Sequence, residues 1–257
     1  MSNKIKRRDF LKLATVGAAV AATPVLFRKA IGSETHETSP HQWAMIIDQE
    51  KCTGCENCLL ACRAHNDVSP DMAWNSIVDD SESGSRKTCL PIQCMHCEEA
   101  PCVHACPVKA TYHRPDGIVM MDYDRCIGCR YCEIACPYGA RSFNWKEFTG
   151  ENSAVPAWGE PEIERRPRGV VEKCSFCYHR IDRGLAAGLV PGVDSQATPA
   201  CVAACPSGAR IFGDANDPQS QVSKLIKDQH VHQLRADLGT GPRIYYLHVD
   251  AVNEEVV

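Results

Sequence analysis

The sequence has few aromatic residues, no membrane-length hydrophobic run and no common catalytic motif. Aromatic residues make up 7% of the 257 residues, whereas the 17 Gly and 16 Pro indicate many turns. The longest apolar stretch spans about fifteen residues near the N-terminus, short of the roughly 20 needed to cross a bilayer. G-x-S-x-G, H-E-x-x-H, Walker A and G-x-G-x-x-G motifs are absent. No residue pattern therefore indicates hydrolase, zincin or nucleotide-dependent chemistry.

Positive charge is also scarce once the N-terminus is set aside. Of the 28 Lys and Arg residues, seven lie in residues 1–30 together with one Asp, so residues 31–257 carry a formal charge of −10. Proteins that bind nucleic acid or an anionic membrane surface need the opposite balance. We therefore expect no nucleic-acid partner.

Cysteine, in contrast, is abundant and regularly spaced. The stretch CIGCRYCEIACP places Cys126, Cys129, Cys132 and Cys136 at steps of three, three and four before Pro137, in a chain with 17 cysteines. Disulfides here would close only tiny loops, and an odd number of cysteines cannot all pair. Zinc sites usually take two ligands from each of two knuckles. The run C-x2-C-x2-C-x3-C-P is the bacterial ferredoxin signature and predicts a [4Fe–4S] cluster.

Four such groups account for 16 of the cysteines. The residues before the first and third groups also match, since AMIIDQEKCTGCENCLLAC aligns with IVMMDYDRCIGCRYCEIAC, and this match indicates an internal duplication. Cys89 is left over and is predicted to be a bystander thiol. The groups are Cys52, Cys55, Cys58 and Cys62; Cys94, Cys97, Cys102 and Cys106; Cys126, Cys129, Cys132 and Cys136; and Cys174, Cys177, Cys201 and Cys205.

The spacing between the groups predicts how they combine. Only 19 residues separate the second group from the third, and RPDG within them predicts a turn between two short strands. These groups should form one two-cluster lobe, which leaves the first and fourth groups for another. In such a pair the fourth cysteine of each motif ligates the other cluster. The predicted ligand sets are Cys52, Cys55, Cys58 and Cys205; Cys62, Cys174, Cys177 and Cys201; Cys94, Cys97, Cys102 and Cys136; and Cys106, Cys126, Cys129 and Cys132.

The predicted fold class is α+β, with two bacterial-ferredoxin-like two-cluster lobes and long irregular loops. Residues 42–66 with 168–214 form the lobe of the first and fourth groups, and residues 89–143 form the inserted lobe of the second and third. Residues 215–257 are predicted to be a C-terminal extension. Because the aromatic content is low, the clusters are expected to contribute much of the cohesion.

Two long segments between the groups are expected to be irregular, residues 63–93 and residues 144–173. The second contains the basic run ERRPRG. This run is interpreted as a solvated loop, with a partner-docking surface as the alternative. His96, His104, His113 and His179 near the ligands are interpreted as packing or surface residues, with a hydrogen bond that tunes a cluster as the alternative.

The N-terminal segment, residues 1–30, indicates export. Arg7 and Arg8 precede Phe10 and Leu11, and a moderately apolar run follows. This pattern is typical of a bacterial twin-arginine signal. That pathway carries folded cargo, so the clusters can be inserted in the cytoplasm before the thiols meet an oxidising compartment. We therefore expect a periplasmic protein, and an uncleaved signal that serves as a weak anchor stays open.

The order of the groups, with a stretched second and a split fourth, resembles the four-cluster ferredoxin-like subunits of the DMSO, polysulfide and tetrathionate reductase type. The resemblance covers roughly residues 42–214. The stretches RGVVEKCSFCYHRID and PACVAACPSGARIFGD and the signal segment are most similar to exported members, among them the tetrathionate reductase subunit and the periplasmic subunit of the complex associated with dissimilatory sulfite reductase.

The resemblance implies an electron-transfer subunit with four [4Fe–4S] clusters and no substrate chemistry of its own. It also implies two kinds of partner: a multi-span membrane subunit that handles quinone, and a molybdopterin subunit or a multihaem cytochrome c. Membrane association would then run through those partners. A free periplasmic polyferredoxin shuttle is the alternative function. A redox enzyme in its own right would need an open iron position, and every cysteine group here is complete.

Overall fold

The computed structural model describes residues 39–79, 89–228 and 231–247. The predicted signal segment, residues 1–30, lies outside the described residues. The strands are β1 (Trp43–Asp48), β2 (Asn75–Asp79), β3 (Cys89–Gln93), β4 (Thr111–His113), β5 (Val119–Met121), β6 (Ser142–Phe143), β7 (Val171–Glu172), β8 (Arg210–Asp214), β9 (Val231–His232) and β10 (Ile244–Leu247). The helices are α1 (Asn57–His65), α2 (Pro101–His104), α3 (Tyr131–Ile134), α4 (Tyr178–Ala186), α5 (Ala200–Ala203) and α6 (Gln221–Lys227), with a 3₁₀ turn at Ala236–Leu238.

A four-stranded sheet in the order β8-β1-β10-β9 is built around the apolar strand β1. Every residue of β1 is buried. Side chains alternate across a strand, so Met45 and Ile47 enter the main hydrophobic core while Ala44 and Ile46 face α6. Met45, Ile46 and Ile47 are fully buried, and each such side chain stabilises the fold by about 1.5–3 kcal/mol. Strands and helices in this irregular mixture confirm the α+β class.

The predicted hairpin between the second and third cysteine groups is present. β4 and β5 pair antiparallel with Thr111 opposite Met121, and the RPDG turn closes with the Arg114 amide donating to the Ile118 carbonyl at 2.9 Å. Gly117 in this turn has φ +85°. Glycine suits this position because it adopts a positive φ without a side-chain clash.

The internal duplication is visible in matching strand pairs. β1, which precedes the first cysteine group, pairs antiparallel with β8, which follows the fourth. β5, which precedes the third group, pairs in the same way with β4, which follows the second. Equivalent hydrogen bonds start both ladders, from the Asp48 amide to the Ala209 carbonyl and from the Asp122 amide to the Ala110 carbonyl, each 2.7 Å long. Each pairing therefore joins the two groups that the spacing had put together.

The segment 63–93 is more regular than the sequence predicted. It contains the end of α1 and the hairpin of β2 and β3, in which Asn75 lies opposite Gln93. The expectation of an irregular segment is wrong for these strands. The sequence of β3, CLPIQ, does not alternate apolar and polar residues, and its central proline argues against a strand because proline has no N–H to donate to a neighbouring strand.

The segment 144–173 is mostly irregular, as predicted, but its basic run is not a solvated loop. The Arg166 side chain is 3% exposed, pairs with Glu172 at 3.2 Å and lies over the Trp74 ring. Arg165 binds the Asp67 carboxylate through two nitrogens, at 2.9 and 3.0 Å. The interpretation of ERRPRG as a solvated loop is therefore wrong for these two arginines, because they anchor the segment to the residues that follow α1. The partner-docking alternative stays a prediction.

The C-terminal stretch belongs to the sheet. Within residues 215–257, the predicted C-terminal extension, β10 pairs parallel with β1 over Met45–Asp48 and β9 pairs with β10. The same main core contains Met45 of β1, Met120 of β5 and Tyr246 of β10. Both strand pairs of the duplication therefore pack on one core. No helix in the described part of the chain has the length and apolar character to cross a membrane.

Candidate iron–sulfur centres

The four cysteine groups share one local geometry. In each group the third cysteine lies in the first two residues of a short helix, and the fourth comes about one turn later. In the first and third groups the loop before that helix turns through glycines with positive φ, Gly54 at +69° and Gly128 at +67°. A Cβ on Gly128 would lie 2.2 Å from the Gly169 carbonyl oxygen, so the loop closes this tightly only with glycine. The third cysteines are Cys58, Cys102, Cys132 and Cys201.

Centre A is the predicted set Cys52, Cys55, Cys58 and Cys205. All four line one cavity together with Arg210. Burial raises the pKa of Cys205, but hydrogen bonds from the Ser207 hydroxyl and from the Arg210 and Ala209 amides outweigh it and lower that pKa. The environment of Cys205 therefore favours the thiolate, which is the form that binds iron.

Centre B is the predicted set Cys62, Cys174, Cys177 and Cys201, and all four are buried. Burial raises the pKa of Cys62 well above its usual value, and the charges of the other three cysteines raise it further. The Asn66 side-chain amide donates to Sγ of Cys177 at 3.4 Å and to Sγ of Cys62 at 3.7 Å. The structure thus brings the predicted set together, with one buried amide between two of its thiols.

Centre C is the predicted set Cys94, Cys97, Cys102 and Cys136. Burial raises the pKa of Cys97 to about 12, and the charges of Cys94, Cys102 and Cys136 contribute in the same direction. The Arg141 guanidinium donates to Sγ of Cys102 at 3.1 Å. These four side chains also lie together.

Centre D is the predicted set Cys106, Cys126, Cys129 and Cys132. Burial raises the pKa of Cys132, and the charge of Cys126 is among the further causes. α2, which precedes Cys106, packs against α3, which contains Cys132. The Sγ of Cys106 accepts from the Ala110 amide at 3.2 Å. The assignment of Cys106 and Cys129 to this centre rests on the spacing.

The centres follow one another in a line. The charge of a thiol in one centre shifts the pKa of a thiol in the next, and these three electrostatic pairs define the junctions A–B, B–C and C–D. The junction pairs are Cys58 with Cys201, Cys94 with Cys174, and Cys102 with Cys132.

The most exposed cysteines lie at the two ends of this line, while Cys136 of centre C is partly exposed. All 17 cysteines lie in the described residues, all are free thiols, and only Cys55 of centre A and Cys129 of centre D are exposed. The surface differs between the two ends. Thr53 and Glu56 flank Cys55, whereas Ile127 and Tyr131 beside Cys129 are 64% and 60% exposed. The end at Cys55 is therefore polar, whereas the end at Cys129, called the apolar end below, exposes two large apolar side chains with Arg130 between them.

The donor set suits iron–sulfur clusters. Four cysteines line the centre A cavity, and the Nη2 atom of Arg210, a residue of the same lining, has no hydrogen-bond partner among the described residues. A guanidinium without an acceptor fits a site whose acceptors are sulfur atoms of a bound group. No cluster of three or more His, Cys, Asp or Glu side chains in the described residues is arranged to hold a single metal ion.

His96, one of the four histidines near the ligands, has a packing role. His96 is fully buried, and its Nδ1 accepts from the Val119 amide at 3.0 Å. Burial, with the nearby charges of Lys173 and Arg141, lowers the pKa of His96 well below its usual value, so the ring is neutral and protonated on Nε2. It packs on Phe176, with ring centroids 3.8 Å apart. The prediction of a packing role is consistent with this contact.

The buried cations beside the thiols were not predicted from the sequence. Arg141 and Arg210 are each 4% exposed, and Lys173 is 1% exposed. A signal was available, since the third and fourth groups are followed by CPYGAR and CPSGAR. The seventeenth cysteine, Cys89, is 2% exposed, and its Sγ lies 2.8 Å from where a Cβ on Gly54 would stand.

Family models match all four cysteine groups. A 4Fe-4S dicluster domain matches residues 86–154, and a second model of that description matches residues 125–209. A 4Fe-4S binding domain matches residues 43–64, and a twin-arginine translocation pathway signal sequence matches residues 4–24. The predictions of [4Fe–4S] clusters and of a twin-arginine signal are confirmed.

Curated relatives share most of the chain. It is 45% identical over 221 residues to a putative dimethyl sulfoxide reductase iron-sulfur subunit of Halobacterium salinarum, covering 80% of this chain and 78% of the relative. It is 40% identical over 272 residues to the Hdr-like menaquinol oxidoreductase iron-sulfur subunit 1 of Archaeoglobus fulgidus, covering 94% and 97%. It is 35% identical over 255 residues to a tetrathionate reductase subunit of Salmonella typhimurium, covering 95% and 88%.

Proposed function

This chain belongs to the iron–sulfur electron-transfer subunits of the DMSO and tetrathionate reductase type, and from that premise we propose that it carries electrons through four [4Fe–4S] clusters between a quinone-interacting membrane subunit and a second redox subunit. A [4Fe–4S] group supplies one-electron transfer when bound. The chain's own residues space such groups, insulate them from water and adjust their potentials.

The observation that carries the proposal is the line of centres with exposure at its two ends. Cys55 and Cys129 are exposed and belong to the terminal centres A and D, whereas every cysteine of centre B is buried. Burial of all four cysteines of centre B, and of three of the four in centre C, limits the leakage of electrons to solvent. Exposure at both ends gives two separate contact points, as a conductor between two partners needs.

The proposed ligand sets are centres A to D as defined above. The strand pairs support two ferredoxin-like lobes, because β1 and β8 flank the groups that supply centres A and B, and β4 and β5 flank those that supply centres C and D. The lobes share one hydrophobic core, so their relative placement is set by apolar packing.

Lack of independent substrate chemistry follows from the closed ligand sets. Each centre has four thiols, which leaves no iron position open for a substrate. A cavity lined by Trp74, Tyr123, Tyr178 and neighbouring residues contains no cysteine in its lining. It therefore gives a small molecule no direct access to a ligand thiol.

Periplasmic export follows from the twin-arginine signal at residues 4–24. Attachment to the membrane would then come from the partners. One relative is named a menaquinol oxidoreductase subunit, which supports a multi-span quinone-handling partner. Others are named reductase subunits, which supports a molybdopterin subunit as the second partner, with a multihaem cytochrome c as its substitute.

The test compares the isolated subunit with the intact complex. After a reduced quinol analogue is added under anaerobic conditions, visible cluster absorbance should bleach in the complex and stay constant in the isolated subunit. The reason is that quinol chemistry belongs to the membrane partner in this proposal. If quinol bleached the isolated subunit, or if the isolated subunit turned over a sulfur oxyanion, the proposal would be overturned.

The apolar end of the line should be a docking surface. Ile134 of α3 is 80% exposed, and Tyr131 lies one turn before it, beside exposed Cys129. Ile134→Glu would place a charge in the interface, and we expect it to weaken association with the partner at this end by about 2 kcal/mol, a factor of about 30 in Kd.

Co-purification of tagged subunit with its partners measures this effect. Val193→Glu is the matched control, because Val193 is also 80% exposed but lies in the loop between α4 and α5. Loss of a partner from the Ile134 variant alone supports docking at centre D. Equal retention of all partners by both variants would contradict it.

A further inference from the structure

One buried cation lies at each of the three junctions between centres. Arg210 occupies the A–B junction, Lys173 the B–C junction and Arg141 the C–D junction. All three are at least nine-tenths buried, with relative exposures of 4%, 1% and 4%.

The position of Arg210 is set by β8, which it begins. It lines the centre A cavity, and its Nη1 lies 3.7 Å from the Met45 sulfur. The negative charges of Cys201 and Cys58 hold the Arg210 guanidinium protonated against the effect of burial, which by itself lowers its pKa. One guanidinium therefore faces a thiol of centre A and a thiol of centre B.

Lys173 and Arg141 occupy equivalent places further along the line. The Lys173 ammonium donates to the carbonyls of Val119 and of Cys174, the second at 2.8 Å. Burial lowers the pKa of Lys173, and the negative charges of Cys94 of centre C and Cys174 of centre B oppose that effect.

Arg141 reaches the last junction from the segment after the third cysteine group. Its Nη2 donates to Sγ of Cys102 at 3.1 Å, and its Nη1 donates to the Thr111 hydroxyl at 3.2 Å. It is also coupled to Cys132 of centre D. Arg141 and Arg210 occupy matching positions, five residues after the last cysteine of their groups.

These three cations differ from the other buried cations in lacking a carboxylate. Arg166 pairs with Glu172, and Arg180 pairs with Glu162. Within the described part of the chain, no ion pair to Asp or Glu involves Arg141, Lys173 or Arg210, and Nε of Arg141 and Nη2 of Arg210 have no acceptor. A buried cation without a counter-ion is strongly unfavourable, so these positions require negative charge from the thiolates and what they bind.

We propose that Arg210, Lys173 and Arg141 each raise the reduction potentials of the two clusters that meet at their junction. This inference rests on the ligand sets of the proposed function. Reduction adds one negative charge to a cluster, and a nearby cation stabilises the reduced form more than the oxidised form. A cation between two clusters also lowers the repulsion between neighbours that are reduced together.

The test substitutes each cation and titrates the clusters of the purified complex. In Arg210→Gln, Lys173→Gln and Arg141→Gln, we expect unchanged iron per chain and a lower midpoint potential for two of the four clusters. Electron paramagnetic resonance monitors the titration. The affected clusters should be A and B in Arg210→Gln, B and C in Lys173→Gln, and C and D in Arg141→Gln. One cysteine variant for each centre assigns the signals, because the signal that it removes belongs to that centre. Arg210→Lys and Arg141→Lys keep the charge, so their cluster potentials should stay close to those of the parent protein.

A double variant serves as the matched control. Arg166→Met with Glu172→Gln removes a buried ion pair without changing net charge, and it should leave all four potentials in place. Unchanged potentials in iron-replete Gln variants would overturn the tuning role. So would loss of iron from every Gln variant with retention in the Lys variants, because the cations would then be only structural. Shifts in other pairs of clusters would instead overturn the order of centres in the proposed function.

Discussion

Cys201→Ser should interrupt electron transfer through the subunit although Cys201 is remote from both exposed ends. Cys201 lies in the first turn of α5, is 6% exposed and belongs to centre B, between centres A and C. Serine replaces a thiolate by a hydroxyl that does not ionise near neutral pH, so the cluster at this position would be lost or weakly held. Iron should fall from about 16 atoms per chain to about 12.

The rate should fall more than the iron content. Because centre B is interior to the line, its loss leaves A and C without an intermediate, and quinol-driven reduction of the far partner should decrease by about a hundredfold or more, equivalent to about 3 kcal/mol in activation free energy. Iron analysis and stopped-flow reduction of the intact complex measure the two effects.

Cys89→Ser is the control for both measurements. Cys89, at 2% exposure, is as deeply buried as Cys201 but belongs to none of the four proposed sets, so iron content and rate should stay at the parent values. Normal electron flow in the Cys201 variant would contradict the linear order. Iron loss in the Cys89 variant would contradict the proposed ligand sets, and an iron content near eight in the parent would contradict four clusters.

Replacing Arg7 and Arg8 together by Lys should abolish export. The pair lies in the matched signal sequence, residues 4–24. Lysine keeps the charge but lacks the planar guanidinium, which presents several donors in a fixed plane. The protein should therefore accumulate in the cytoplasm with its clusters inserted, and the periplasmic fraction should contain essentially none of it.

Cell fractionation followed by immunoblotting measures this distribution. Arg28→Lys makes the same chemical change outside the matched signal and should be exported normally. Export of the Arg7 and Arg8 variant at the parent level would show that the pair is incidental, and the periplasmic assignment would then be wrong.

Local chemistry made the cysteine groups readable without a structure. A thiolate loop around a cluster needs close spacing, a tight turn and then a helix, and these demands appear as C-x-G-C-x-x-C in the first and third groups. The hairpin at RPDG was predictable for the same reason, since turn chemistry is encoded in four adjacent residues. The role of ERRPRG was not predictable, because the partners Asp67 and Glu172 that hold its arginines are defined only by the fold.

The sequence by itself determined the kind of cofactor, the number of complete cysteine groups, the duplication and the export signal, because each depends on residues that are close in the chain. Only the tertiary structure decided that Cys94 and Cys174, from the two predicted lobes, are electrostatic neighbours, which two cysteines are the most exposed, and that β10 joins the sheet of β1. It also decided that Arg141, Lys173 and Arg210 lie at the junctions. Electrostatic coupling depends on distance and burial, and both arise from packing between segments as far apart as Cys58 and Cys201.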